Sequence, residues 1–451
     1  MPTIRKRDLG HPVFAQPEPT ADPTTFKIKH PSDGPAYKAI DELNKEHKVF
    51  PLPFPAPRGG KEPLLTLGEV FGGNDAAIER ITKAGQIVFH STGDCGSTGG
   101  PKTQNEVTDK MASDFEESDP KEVPQFHFLL GDVVYSFGEP QYYYDQFYEP
   151  YRSYPAPILA VAGNHDGMIS PIAHAKSLDA FLRNFCADSF TVTQDAGGLS
   201  RTAQIQPGVF FTFDAPFVRI LALYSNTLED PGVIADGGAY SGVGNSQLAF
   251  LEAALTRAKK ENFRGALLFA SHHPAFTVSR HGWSALMTSQ IDVVCKRVGV
   301  WPTAVLAGHA HSYQRFTRTR PDGTQIPYIV CGNGGHNVQR LTKGSPLRTP
   351  QIIQQASKTQ DQISFDNYDD SSYGYLRIVV TAAQLRIEYH PASDGPNAKT
   401  PDDHVTVDIQ QAALGHFVPR DLGRPEEAQV IRSARQSQEP TRGRNRSPRD
   451  A

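Results

Sequence analysis

Gln86-Ile87-Val88-Phe89-His90 is an apolar run that leads into a polar turn, Gly93-Asp94-Cys95-Gly96. Continuous apolar runs of this length predict strands buried on both faces of a sheet. Four more runs follow, at 126–130, 158–162, 266–270 and 304–307. Helical periodicity intervenes. It is clearest over 246–262, where Leu248, Leu251 and Leu255 share one face and Asn245 stands at the cap position. A shorter helix is expected over 74–83, capped by Asn74. Segments 208–214 and 217–224 read as an added hairpin, and 326–331 as a further strand. Segments 375–381 and 385–390 alternate and predict a closing antiparallel pair. Strands alternating with helices place the chain in the α/β class.

The bulk composition narrows the partners. The chain has 451 residues and a formal charge of -4, which gives no basis for a nucleic-acid or membrane surface. Cys95, Cys186, Cys295 and Cys331 are widely spaced, with no C-x-x-C pair. That fits reduced thiols, or one or two bridges, and not a disulfide framework. The basic start, Met1 to Asp8, leads into no apolar signal core, and no run approaches the ~18 to 20 apolar residues of a membrane span. The expectation is a soluble, cytoplasmic protein.

Three stretches divide the chain. Residues 1–85 form a Pro-rich N-terminal segment, with Pro51-Leu52-Pro53-Phe54-Pro55-Ala56-Pro57 as an extended strap over the core. Residues 86–391 form the catalytic domain. Residues 392–451 are a C-terminal extension, disordered from about 418, where Arg, Pro, Ser and Gln replace any apolar period.

The chemistry lies at the strand ends. Past the five runs stand Gly93-Asp94-Cys95-Gly96, then Gly131-Asp132-Val133-Val134-Tyr135, then Gly163-Asn164-His165-Asp166, then Ser271-His272-His273-Pro274, then Gly308-His309-Ala310-His311. In open α/β sheets, ligand sites collect at such carboxyl ends. Singly, each motif is an ordinary turn, cap or core residue. Together they deliver carboxylates, an amide, imidazoles and a phenol in order. That donor set suits hard to borderline cations. Two such ions about 3.5 to 4 Å apart clamp a phosphoryl group. A carboxylate has two oxygens to share, and Asp132 is the best bridge, since its run also supplies Tyr135. A phenolate favours a trivalent ion such as Fe(III).

The ordered set resembles the binuclear metallophosphoesterases, the calcineurin-like phosphoesterases, and within them most closely the purple acid phosphatases. Their motifs run GDxG, GDxxY, GNH followed by Asp or Glu, VxxH and GHxH. The resemblance covers roughly residues 86–391. It implies a four-layer αββα sandwich of two mixed sheets. It also implies metal one on Asp94, Asp132, Tyr135 and His311, and metal two on Asp132, Asn164, His272 and His309. The implied cofactors are two metal ions, Fe(III) at the Tyr135 site with Fe(II), Zn or Mn at the other. Many relatives open with Asp-x-His. Here Gly96 holds the place of that histidine and cannot bind, so Tyr135 supplies the ligand, which selects the purple acid phosphatase pattern. Phe269 replaces the family Val, and Gln314 the common Glu, neither a ligand.

By the same resemblance His165 and His281 face the phosphate and assist the leaving group. His273 is better suited to packing or ligand support than to ligation. Tyr142-Tyr143-Tyr144 either lines a substrate groove or packs. The glycine turn after Cys331, Gly332-Asn333-Gly334-Gly335-His336, lets backbone approach the site, and it is no P-loop. The expected activity is hydrolysis of a small phosphate monoester by a metal-bound hydroxide. Two alternatives stand beside it. One is a phosphodiesterase on the same scaffold, selected by loops 136–155, 166–205 and 226–245. The other is a phosphate-binding regulator without turnover.

Overall fold

Each central strand of this protein is covered on both sides, and its burial alternates between two different cores. The computed structural model describes residues 8–16, 38–39, 42, 51–170, 173–229, 231–345, 351–354, 360–409 and 416–417. In chain order the strands are β1 (Leu64–Thr66), β2 (Gln86–Thr92), β3 (His127–Leu129), β4 (Ile158–Ala160), β5 (Phe211–Ala215) and β6 (Val218–Ala222). Next come β7 (Ala266–Ser271), β8 (Ala304–Ala307), β9 (Tyr313–Thr319), β10 (Gln325–Cys331) and β11 (Gln351–Gln354). The last are β12 (Gln360–Asp369), β13 (Gly374–Thr381), β14 (Gln384–Pro391), β15 (Asp403–Asp408) and β16 (His416–Phe417).

They build a nine-stranded sheet, β1-β5-β6-β7-β8-β10-β9-β12-β11, and a seven-stranded sheet, β16-β15-β14-β13-β2-β3-β4. Both are mixed. β2, β3 and β4 run parallel, as do β6, β7, β8 and β10. β13 joins β2 antiparallel, and β9 joins β10 antiparallel.

The period-two alternation explains the layering. Ala266, Leu268 and Ala270 of β7 join Phe89, Phe128 and Ile378 of the other sheet in one buried cluster. Leu267 and Phe269, pointing the other way, join Phe250, Leu251 and Leu255 of the helix Ser246–Lys260. On the far side, Leu129 and Ile158 pack with Val107 and Met111 of the helix Lys102–Ser113. Helices therefore cover both outer faces, and the expected αββα sandwich of two mixed sheets is the observed one. Phe126 ties the sheets together. Its ring stacks on Phe89 at 4.5 Å and meets Phe213 edge-on at 5.0 Å. Such aromatic pairs add about 0.5 to 1.5 kcal/mol each beyond area burial.

The sheets reach past residues 86–391 on both sides. β1 pairs with β5, and β15 pairs with β14, so strands from the expected flanking segments complete the sheets. β1 has only three residues, too few to show a period, whereas β15 does alternate, through His404, Val405, Thr406 and Val407. Upstream of β1, Pro51 bridges Thr227, and Phe54 meets Phe210 and Tyr224 edge-on. Asn74 caps its helix through Ala77 N–H, whereas Asn245 makes no side-chain cap bond. All four cysteines are free and buried. The expected disordered tail lies outside the described residues. No described helix is long and apolar enough to cross a membrane.

Candidate metal centre

β2, β3 and β4 end side by side in one sheet, and β7 and β8 end side by side in the other. The loops past these five ends meet. Three of the residues that begin the turns have left-handed backbone: Asp94 (φ 57°), Asp132 (φ 52°) and His309 (φ 67°). Non-glycine residues rarely hold that conformation, and each costs about 1 to 3 kcal/mol. Hydrogen bonds between the loops hold it. Asp94 N–H donates to the Gly131 carbonyl at 2.9 Å, Cys95 N–H donates to the Asp132 carbonyl at 3.1 Å, and His309 N–H donates to Asp94 Oδ2 at 2.7 Å. That last bond joins the two sheets at the site. Gly163 is required by proximity, because a Cβ there would strike the Asp132 carboxylate.

One group of side chains gathers at the ends of β3, β4, β7 and β8. His272 Nε2 lies 2.9 Å from Asn164 Oδ1 and 3.2 Å from Asp132 Oδ2. His309 Nδ1 lies 3.1 Å from Asn164 Oδ1 and 3.2 Å from His272 Nε2. The His272 Nδ1–H donates to the Leu130 carbonyl at 2.8 Å, which turns the Nε2 lone pair inward. Four lone-pair atoms thus converge with almost no hydrogen among them. Asn164 Nδ2 and His309 Nε2 are buried without partners. These donors fit a cation of hard to borderline character. Asp132, His272 and His309 offer ligand atoms all within 4.8 Å of one another.

The second group is built differently. Tyr135 Oη donates to Asp94 Oδ1 at 2.8 Å and lies 3.4 Å from His311 Nε2. His311 Nε2 is 3.4 Å from Asp94 Oδ1, and its Nδ1–H donates to the Asn337 carbonyl at 3.0 Å. Asp132 lies between the groups, 3.2 Å from His272 Nε2 on one side, while its charge acts on the Tyr135 phenol on the other. Gly96 contributes no ligand and has no room for one. A Cβ there would come within 2.7 Å of Val134 Cα and 2.8 Å of the Val133 carbonyl.

The electrostatics of the metal-free site follow from this packing. Burial opposes charge on His272, but Asp132 and Asp94 outweigh it and raise its pKa to about 9. Burial likewise opposes charge on Asp132, yet His272 and His165 hold it well below the usual carboxylate range. Burial and the carboxylates of Asp132 and Asp94 push the Tyr135 phenol well above its ordinary value. Burial, with His273 and His281 nearby, keeps His309 neutral.

His165 and His281 stand at this centre. His165 N–H donates to Asp132 Oδ1 at 2.9 Å, its ring contacts Ser136 carbonyl through Nδ1 at 2.8 Å, and its centroid lies 4.4 Å from that of Tyr135. The His281 ring lies 4.6 Å from His309, with Glu229 Oε1 at 3.0 Å and Gln339 Oε1 at 3.1 Å from its two nitrogens. His273 sits beside the ligands, bonded to Thr227 and the Glu229 carbonyl. Tyr142 and Tyr143 are buried, so packing is what they do. Gln314 braces the loop that precedes His281, accepting from Val278 N–H at 2.7 Å.

Several supporting residues carry no sequence signal. Glu229 and Gln339 lie on remote loops. Gln146 clamps both backbone groups of Tyr135, accepting from its N–H at 2.9 Å and donating to its carbonyl at 2.7 Å. An isolated Gln or Glu in a loop has no spacing that would single it out. Asp166 closes the Gly163-Asn164-His165-Asp166 turn, where nothing in the motif marks it as a brace. It accepts from Gly163 N–H at 2.8 Å and Val133 N–H at 3.1 Å, tying two of the ligand loops together.

Residues 89–313 match the family model of the calcineurin-like phosphoesterases. This region is a calcineurin-like phosphoesterase domain. The coarse activity that goes with the family is metal-dependent hydrolysis of phosphate esters. No curated protein matches the chain. Among solved structures, it is similar to GAP50, described as the anchor in the inner membrane complex of Plasmodium, at 13% identity and a TM-score of 0.46. That likeness covers 77% of this chain and 94% of the other. A structure of PhoD matches at 13% identity and a TM-score of 0.42, covering 72% of this chain and 70% of the other. A predicted phosphoesterase from Streptococcus pneumoniae TIGR4 matches at 8% identity and a TM-score of 0.25, covering 72% and 98%. All three scores are too low to carry an activity across. The matched phosphoesterase segment contains all seven expected ligand residues, Asp94 through His311.

Proposed function

We propose that this protein hydrolyses small phosphate monoesters at a binuclear centre of the purple acid phosphatase kind. The observation that supports it most is the pair of adjoining donor groups around Asp132. Asp94, Tyr135 and His311 would hold one ion, Asn164, His272 and His309 the other, with Asp132 between them. When bound, the two ions supply charge for the phosphate oxygens and lower the pKa of a water from near 16 toward ~7.

The chain's own residues then orient and protonate. His165 is held by its backbone N–H to Asp132 and by its ring Nδ1 to the Ser136 carbonyl, with its ring 4.4 Å from that of Tyr135. His281 is oriented beside His309 by Glu229 Oε1 at 3.0 Å and Gln339 Oε1 at 3.1 Å from its two ring nitrogens. A protonated imidazole is the form that donates to a leaving oxygen. Fe(III) is proposed at Tyr135 on a physical ground. Burial and two carboxylates hold the phenol proton firmly, so a strongly Lewis-acidic ion is needed to displace it.

The test is metal analysis of the purified protein, with p-nitrophenyl phosphate compared against its bis ester under one metal condition. Two ions per chain and faster cleavage of the monoester are expected. Faster cleavage of the bis ester would make it a diesterase. Retained metals without turnover of either would leave a phosphate-binding regulator.

A further inference from the structure

We propose that His336 is a positioning residue, which holds the Tyr135 ring in the plane that coordination requires. The inference rests on the reading of Tyr135 as a ligand. The two rings lie face to face, with centroids 3.7 Å apart and an interplanar angle of 5°. A Tyr ring turns about a broad two-fold torsion, so its plane is set by packing rather than by the backbone. Gln146 fixes only the backbone of Tyr135. The Oη bond to Asp94 anchors the ring's tip, and of the described rings around Tyr135 only His336 lies parallel to it, which sets its plane.

His336 is itself held by the first ligand loop. Its N–H donates to the Asp94 carbonyl at 2.9 Å, and Gly334 N–H donates to the Gly93 carbonyl at 3.0 Å. Its Nδ1–H donates to the Gly96 carbonyl at 3.1 Å. Thr103 Oγ1 donates to the Gly335 carbonyl at 2.6 Å from the outer side. The arrangement is economical in space. Gly96, which has no room for a ligand, anchors by its carbonyl the ring that orients the replacement ligand.

The experiment loads full-length protein with Fe(III) and records the visible spectrum and the rate of iron loss to a chelator. Wild type is expected to show a tyrosinate charge-transfer band. His336→Ala should shift that band and speed iron loss by about 10- to 100-fold, the usual effect of losing a residue that supports a ligand. His336→Phe restores a flat ring without the bond to Gly96, and should stay within about twofold of wild type. Metal content of the Asn164, His272 and His309 group should be equal in all three, which controls for misfolding. A band and iron retention unmoved in His336→Ala would overturn the inference alone. So would His336→Phe behaving like His336→Ala, since stacking would then not be the cause. A wild type without a band, or a band that survives Tyr135→Phe, would sink the Tyr135 ligand reading and this inference together.

Discussion

The two donor groups of the centre lie side by side and differ in how they satisfy themselves. Around Asn164, lone pairs from His272, His309 and Asp132 converge, and only a cation or a proton on His272 can reconcile them. Around Tyr135, the phenol O–H already fills the Asp94 lone pair at 2.8 Å. One group requires positive charge to be stable, whereas the other must give up a proton before it can take an ion. The lesson is that an arrangement with matching ligand counts need not bind its two ions alike. On the proposed reading, the Asn164 group would take a divalent ion and the Tyr135 group a more strongly Lewis-acidic one.

The largest effect should come from breaking both groups at once. Asp132→Asn keeps the shape and removes the shared charge, so both ions should be lost from metal analysis and turnover should drop more than about 10³-fold. Retention of two ions would mean that Asp132 bridges nothing. Next, His165→Ala removes the ring that touches Tyr135 while its backbone serves Asp132. Turnover should fall about 10²-fold, more for alkyl than for p-nitrophenyl esters, with metal content unchanged. An equal loss on both esters would argue against a proton donor.

Separating the groups gives a smaller change. Tyr135→Phe should bleach the visible band and lower activity about 10- to 100-fold, while the ion at Asn164 stays. If the ion at Asn164 leaves instead, the two groups are one cooperative site.

The smallest single step, about tenfold per pH unit, is graded with pH. His272 has an unfolded pKa near 6.5, raised in the folded, metal-free protein to about 9. Its contribution to metal-free stability is therefore complete below the unfolded value and lost as pH rises through the folded one. Denaturant melts of metal-free protein should show that loss between pH 6 and 9.5. Over the same range an incoming divalent ion must displace the His272 proton, so affinity at the Asn164 group should rise about tenfold per pH unit until about 9. A flat affinity profile would show that His272 is not the proton being displaced.

The strands were legible because both faces of β2, β3, β7 and β8 are buried, and continuous apolar runs betray that. β1 and β15 were not: β1 is a three-residue edge strand, and β15 lies past the last run that reads as a strand, inside the expected C-terminal extension. At the centre, Asp94, Asp132, Asn164, His272, His309 and His311 each stand just past a run, so local order alone picks them out. Glu229, Gln339, Gln146 and His336 stand past no such run. They reach the site only because distant loops fold over it.

Which donor stands at which strand end is written in the chain order, because a strand and its turn are local and their side-chain directions follow from backbone period. How those donors divide is set by long-range packing. Parallel packing of β2–β3–β4 against β7–β8 sets Asp132 between a phenol and two imidazoles, closes the space at Gly96, and lays His336 flat on Tyr135. Those relations depend on atoms a few ångströms apart in space and up to hundreds of residues apart in the chain, and burial then gives each its charge preference.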